Sequence, residues 1–320
     1  MKILVDSFGR VHNYLRISVT DRCNFRCIYC NPFLYYKPKK ELLSFEEIIR
    51  ISKLLVDNGV EKIRVTGGEP FVRKNFIQLL EKLNELNIKE LNISTNGYLI
   101  DKYIDNLTKI SKLRKINISL DTFKPEKFEF ISKVSKNYLS KVIDNIRLAS
   151  KYFDVKVNVV LMKNINDDEI FDFVDFAFEN NVVVRFIELM PMKGSIYSEQ
   201  TFLPYTEVLE KLKEKYILVK TEDPLNSTSK NYLVYKGRNF ICQIGFITSV
   251  SSPFCSTCNR LRLTATGNFK PCLFSNLEFN IKKYLHLPDD ELLNLILNCL
   301  KLKKYIGVNM TDNVMVEMGG

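Results

Sequence analysis

A chain of 320 residues, 46% hydrophobic and 26% charged, is too apolar for a disordered protein and long enough for one large domain or two ordinary ones. No stretch reaches the ~18 consecutive apolar residues of a membrane span, and Asp6, Arg10, His12 and Asn13 interrupt the N-terminus where a secretory signal needs an apolar run, so a cytoplasmic location without membrane association is expected. The 47 Lys and Arg against 37 Asp and Glu leave a net charge of +10, which suits an anionic partner (nucleic acid or a phosphorylated small molecule) or a solvated lysine-rich surface.

Short runs rich in Ile and Val predict strands over 14–20, 62–66, 90–95, 115–120, 155–162 and 182–189. Helical patterns lie between them. Ser44 with Glu47 forms a capping box opening a helix that runs to about Asp57, with Gly59 just beyond its end. Further helices are expected over 75–86, 136–152 and 167–180. Six alternating strand–helix units imply parallel strands, and runs such as VKVNVVLM suit burial on both faces. Eight units would need about 250 residues. The prediction is therefore a partial, laterally open (βα)6 barrel over residues 1–195, with ligands at the carboxyl ends of the strands. After residue 195 the strand-like runs NYLVYK, NFICQIGFITSV and RLRLTATG follow without helices between them, and a last helix fits 289–302. A smaller α+β extension over 196–320, packed on the barrel, is expected.

Eight cysteines stand at positions 23, 27, 30, 242, 255, 258, 272 and 299, against only two histidines, His12 and His286. Without an export signal, metal binding is the stronger reading of this pattern than disulfides. Cys23, Cys27 and Cys30 form C-x3-C-x2-C directly after the first strand. Three thiolates on one loop can hold three irons of a four-iron cluster and leave the fourth iron open to a small molecule. A zinc site or buried cysteines are the alternatives, but zinc favours four ligands and no nearby residue supplies the last. Gly67-Gly68-Glu69-Pro70 follows the second strand, either as a place where backbone approaches a ligand or as a plain strand-end turn. Cys255, Cys258 and Cys272 form C-x2-C-x13-C, again three thiolates. A zinc ribbon completed by Cys242 or Cys299 is the other reading. Arg260 and Arg262 share one face of an extended strand, so both can meet one anion or both can be solvated.

The first triplet resembles the signature of the radical S-adenosylmethionine enzymes, in which the open iron chelates S-adenosylmethionine. With the second triplet, the chain resembles the GTP 3′,8-cyclases of molybdenum cofactor biosynthesis (the MoaA family). The segments that carry this are YLRISVTDRCNFRCIYC, KIRVTGGEP, STNG, NISLD, VKVNVVLM, RFIELM, IGFI, FCSTCNRLRLT, CLF and the closing Gly319-Gly320. The resemblance implies two [4Fe-4S] clusters, one on each triplet, with S-adenosylmethionine on the first and the guanine of GTP on the second. It implies cofactor contacts from Tyr29, Gly68, Ser119 and Met190, and GTP contacts from Arg16, Arg64, Thr95, Lys156, Arg260 and Arg262. Charges on buried strands need an anion or a wet interior, which adds Lys62 and Arg185 as weaker candidates. Gln243 stands where many relatives carry arginine, removing one cation. The Gly-Gly end either threads into the site or frays.

The implied chemistry begins with an external electron donor. S-adenosylmethionine is cleaved, the 5′-deoxyadenosyl radical removes the ribose 3′ hydrogen, the carbon radical closes onto guanine C8, and reduction with protonation completes the product. The product passes to cyclic pyranopterin monophosphate synthase. No classical acid or base is implied, nor any nucleic acid, and a homodimer is one assembly left open. Two rival readings are a radical enzyme acting on a peptide and a zinc-containing nucleic-acid-binding protein.

Overall fold

The computed structural model describes residues 4–30, 36–308 and 311–318. Six parallel strands run in chain order through one sheet: β1 (Tyr14–Ser18), β2 (Lys62–Thr66), β3 (Glu90–Thr95), β4 (Leu113–Ser119), β5 (Asp154–Leu161) and β6 (Val183–Glu188). The connections carry α1 (Phe45–Val56), α2 (Phe76–Glu85), α3 (Ile104–Leu107), α4 (Pro125–Ser132), α5 (Tyr138–Ser150) and α6 (Ile170–Asn180). The capping box predicted for α1 is present: the Ser44 hydroxyl accepts from Glu47 N, and Glu47 accepts from Ser44 N. Asn75, expected as the first residue of α2, is instead its left-handed cap. α4 was not expected; Pro at its first turn marks its start.

The strands do not bury both faces in apolar packing. Leu15, Ile17, Ile63, Val65, Val155 and Val157 pack with helix residues such as Ile48, Leu79 and Ile146 in one core. Arg16, Arg64, Lys156 and Asn158, at the alternate positions, line a cavity on the other face. The charges that seemed out of place in buried strands therefore face a wet interior.

The remaining elements are α7 (Tyr205–Lys213), β7 (Ile217–Lys220), β8 (Lys230–Lys236), β9 (Asn239–Ile247), β10 (Arg260–Leu263), β11 (Asn268–Lys270), β12 (Phe279–Asn280), α8 (Asp289–Lys301) and α9 (Met315–Met318). Their strands extend the same sheet at both edges: β10 pairs parallel with β1, and β9 pairs parallel with β6. The full order is β12-β11-β10-β1-β2-β3-β4-β5-β6-β9-β8-β7, an open sheet. The extension thus joins the edges of the sheet where packing against the barrel was expected. No helix among the described residues is long and apolar enough to cross a membrane.

Candidate active site

A cavity of about 710 Å³ lies on the inner face of the sheet, within the ~300–1,000 Å³ usual for small-ligand sites. Every predicted site residue in the described part of the chain lines it. The two cysteine sets lie at opposite ends. Cys23, Cys27 and Cys30 follow the carboxyl end of β1. Cys255 and Cys258 precede β10, which runs parallel to β1, and Cys272 follows the antiparallel β11. The second set therefore sits at the amino ends of the strands, not at the carboxyl ends expected for ligands.

At the first end, the glycine pair serves the cysteine loop. Gly68 N donates to Thr20 O at 2.6 Å and Glu69 N to Arg22 O at 2.8 Å. A Cβ on Gly68 would lie 2.3 Å from the Arg22 carbonyl oxygen, and one on Gly67 2.8 Å from that of Thr20. The glycines thus let two backbones meet just before Cys23. Glu69, fully buried, accepts from Thr95 Oγ1 (2.8 Å), Asn96 N (2.7 Å) and Phe71 N (3.2 Å). Burial pushes it up to about 7 against those donors. Thr95 reaches the cavity wall, yet its hydroxyl is engaged in this turn, donating to Glu69 and accepting from Gly97 N. Asn96 Nδ2 donates to Asn24 Oδ1 at 2.8 Å, so the loops after β1, β2 and β3 form one unit.

Burial, with Glu69 nearby, pushes the Cys23 thiol up to about 12. Burial, Asp121 and the neighbouring thiols hold Cys27 well above the ordinary range, and burial with Cys23 does the same for Cys30. Thiols this crowded, beside carboxylates, become thiolates when a metal supplies positive charge. Among the described residues no group of three or more His, Cys, Asp or Glu side chains is arranged to hold a single metal ion. A four-iron cluster takes one thiolate per iron and does not need such convergence. The donor set therefore fits a cluster with one iron left open. Tyr29 Oη donates to Asp121 Oδ2 at 2.6 Å, and Val160 N donates to the other oxygen of Asp121. Burial pushes Asp121 up to about 6 against these two bonds. Gly68, Ser119 and Met190 line the cavity at this same end.

At the second end, burial raises the Cys258 thiol, but Arg260 and Lys303 outweigh it and hold it at about 6. Lys303 Nζ lies 3.3 Å from Cys258 Sγ and 3.1 Å from the Arg260 carbonyl. Arg10 grips the Cys255 carbonyl at 2.7 Å and also the carbonyls of Lys304 and Tyr305. Arg10 is itself held by buried Asp6, which also meets His12. Cys242 and Cys299 are in the hydrophobic core and line no part of the cavity, so neither completes this set.

Between the ends, strand register stacks cations. Arg262, Arg16 and Arg64 are neighbours across β10, β1 and β2; Arg260, Tyr14 and Lys62 form the next row. Burial and the surrounding guanidinium groups lower Arg16 to about 9 and Arg262 to about 10, and burial with Arg64 nearby lowers Arg185 to about 10. Lys156 falls to about 7, from burial and then Arg185, Lys115, Arg64 and Lys62. Lys62 is already matched by Glu90, which it shares with Lys115. Arg185 Nε, Arg260 Nη1, Asn117 Oδ1 and Asn158 Oδ1 are buried without a partner among the described residues. Cations crowded against unsatisfied polar atoms need a polyanionic occupant.

Tyr14, Lys115, Asn117 and Asn158 line the cavity and were not anticipated. Burial raises Tyr14, but Arg64, Arg16 and Lys62 outweigh it and bring the phenol to about 8. Gln243 shares the strand face of Ile247 and Ser249 but does not reach the cavity. Gly319 and Gly320 lie outside the described residues. The segment before them crosses the site: Asn313 donates to Leu273 O and Ser275 O, Val316 N to Cys30 O, and Arg262 to Met318 O.

A family model described as the Radical SAM superfamily matches residues 17–177, and one described as Molybdenum Cofactor Synthesis C matches residues 182–306. The chain is 41% identical to the mitochondrial GTP 3′,8-cyclase of Arabidopsis thaliana, over 99% of this chain and 84% of that protein. It is 39% identical to the GTP 3′,8-cyclase of Listeria welshimeri, over 90% and 87% respectively. Against Molybdenum cofactor biosynthesis protein 1 of Dictyostelium discoideum it is 44% identical over 94% of its length but spans about half, 49%, of that relative. Among solved structures, SuiB of Streptococcus suis bound to its precursor peptide superposes with a TM-score of 0.66 at 16% identity, over 92% of this chain and 67% of that one. Native anSMEcpe with bound AdoMet gives 0.58 at 18% identity, over 87% and 81%. These two likenesses are of fold. With two cysteine sets facing one cation-lined cavity, the chain belongs to the radical SAM superfamily and, within it, to the GTP 3′,8-cyclase family.

Proposed function

We propose that this protein converts GTP to (8S)-3′,8-cyclo-7,8-dihydroguanosine 5′-triphosphate, the first step of molybdenum cofactor biosynthesis. The observation that carries it is the placing of both cysteine sets at opposite ends of one cavity, with cationic rows between them. Cys23, Cys27 and Cys30 would hold the cluster that binds S-adenosylmethionine, and Cys255, Cys258 and Cys272 a second one that receives guanine. When bound, the first cluster and S-adenosylmethionine supply the radical that removes the ribose 3′ hydrogen.

The chain's own residues do the rest. Gly68, Ser119, Met190 and Tyr29 frame S-adenosylmethionine, with Asp121 fixing the Tyr29 ring. Arg16, Arg64, Arg260, Arg262 and Lys156 hold the triphosphate, Arg groups by their planar forks. Arg185 and the carboxamides of Asn117 and Asn158 offer unsatisfied polar atoms to ribose and phosphate. Thr95 supports the wall through Glu69. The cavity walls orient the ribose and the base, and orientation supplies the rate. An external donor provides two electrons, one for cleavage of S-adenosylmethionine and one that, with a proton, reduces the ring-closed nucleotide radical, and cyclic pyranopterin monophosphate synthase takes the product.

Protein purified anaerobically is expected to carry about eight irons as two clusters. With GTP, S-adenosylmethionine and a reductant it should form 5′-deoxyadenosine only when GTP is present. A peptide-directed radical enzyme would show no GTP dependence, and a colourless zinc protein would end the reading. Turnover by protein with Cys255, Cys258 and Cys272 all changed to serine would refute a substrate-binding second cluster.

A further inference from the structure

Lys303 lies two residues beyond α8, just past the helix's negative end. It is only 4% exposed, and among the described residues no carboxylate pairs with it. A buried ammonium group needs a counter-charge. What it meets instead is Cys258 Sγ at 3.3 Å and the Arg260 carbonyl at 3.1 Å. It does not line the cavity, so it approaches Cys258 from behind and has no route to a substrate. Its place is set by the next two residues, whose carbonyls Arg10 grips together with that of Cys255. One buried guanidinium thus fixes the spacing between the lysine's segment and the second cysteine loop.

Three thiolates around a [4Fe-4S] centre leave a net negative charge facing an incoming polyanion. Hydrogen bonds and cations at the ligand sulfurs set a cluster's potential. We propose that Lys303 is a positioning residue, the fixed counter-charge of the second cysteine set, donating to the Cys258 sulfur and raising the reduction potential of the cluster held there. This rests on the reading that the second set binds a four-iron cluster.

The test uses the full chain with Cys23, Cys27 and Cys30 changed to serine, so that all remaining iron belongs to the second set. If this protein binds no iron, the two-cluster reading fails, whatever Lys303 does. If it binds about four irons, Lys303→Met and Lys303→Arg are compared with it by iron content and by redox titration followed by electron paramagnetic resonance. Lys303→Met should shift the midpoint potential downward or lose the iron, with circular dichroism unchanged. Lys303→Arg, which keeps the charge, should restore much of either effect. An unchanged potential in Lys303→Met overturns the proposal, and so does equal behaviour of the Met and Arg variants.

Discussion

Lys156 sits among cations in the cavity, and burial together with Arg185, Lys115, Arg64 and Lys62 brings it to about 7. A bound triphosphate reverses that balance and raises the ammonium again, so binding near neutral pH takes up a proton. Affinity for GTP should then fall as pH rises above 7, by up to about tenfold per pH unit. Calorimetry in two buffers of different ionisation enthalpy reads the proton uptake directly. Lys156→Met should bind more weakly and lose the uptake; the same uptake in that variant would assign it to another group. The six cysteines, the glycine pair and Arg260 with Arg262 were legible in the sequence because their spacing is local. Lys303 was not, because its partner is 45 residues away. Lys115 and Asn117 carried a usable signal: in KINIS they alternate with isoleucines and share the face of Ser119.

The turn between β2 and α2 shows how one element depends on another. Gly68 is required by the carbonyl of Arg22, one residue before Cys23. Gly68→Ala must push that backbone aside, costing about 1–3 kcal/mol of strain. The outcome expected is selective: iron falls from about eight towards about four per chain, with the second set still loaded. Full iron with normal 5′-deoxyadenosine formation would show that the two backbones can part without disturbing the loop. The sequence left a ligand approach and a strand-end turn both open here; the meeting with the Arg22 carbonyl was not legible, because the neighbouring loop's backbone is invisible in a one-dimensional pattern. The edge strand β7 escaped notice for a related reason: its Ile217 and Val219 are exposed, so burial never shaped the run.

Taken whole, the molecule is one open sheet in which residues before and after about 195 share strand edges. The helix–strand rhythm revealed β1 to β6, since each unit is local. It did not reveal that β10 and β9 would close the flanks, which tertiary pairing decides. A fragment ending at residue 195 loses the outer partners of β1 and β6, β10 and β9, and bares two unpaired edges. It is expected to aggregate on size-exclusion chromatography, while the full chain elutes as a defined species. A well-behaved fragment would instead establish an independent domain. The tie between Arg10 and Cys255 joins residues 245 positions apart. During synthesis, the opening strand therefore leaves the ribosome long before its outer neighbour exists, and its edge stays open to wrong pairing. Until residues 255–272 have been made, the cavity lacks the wall that carries the second cysteine set.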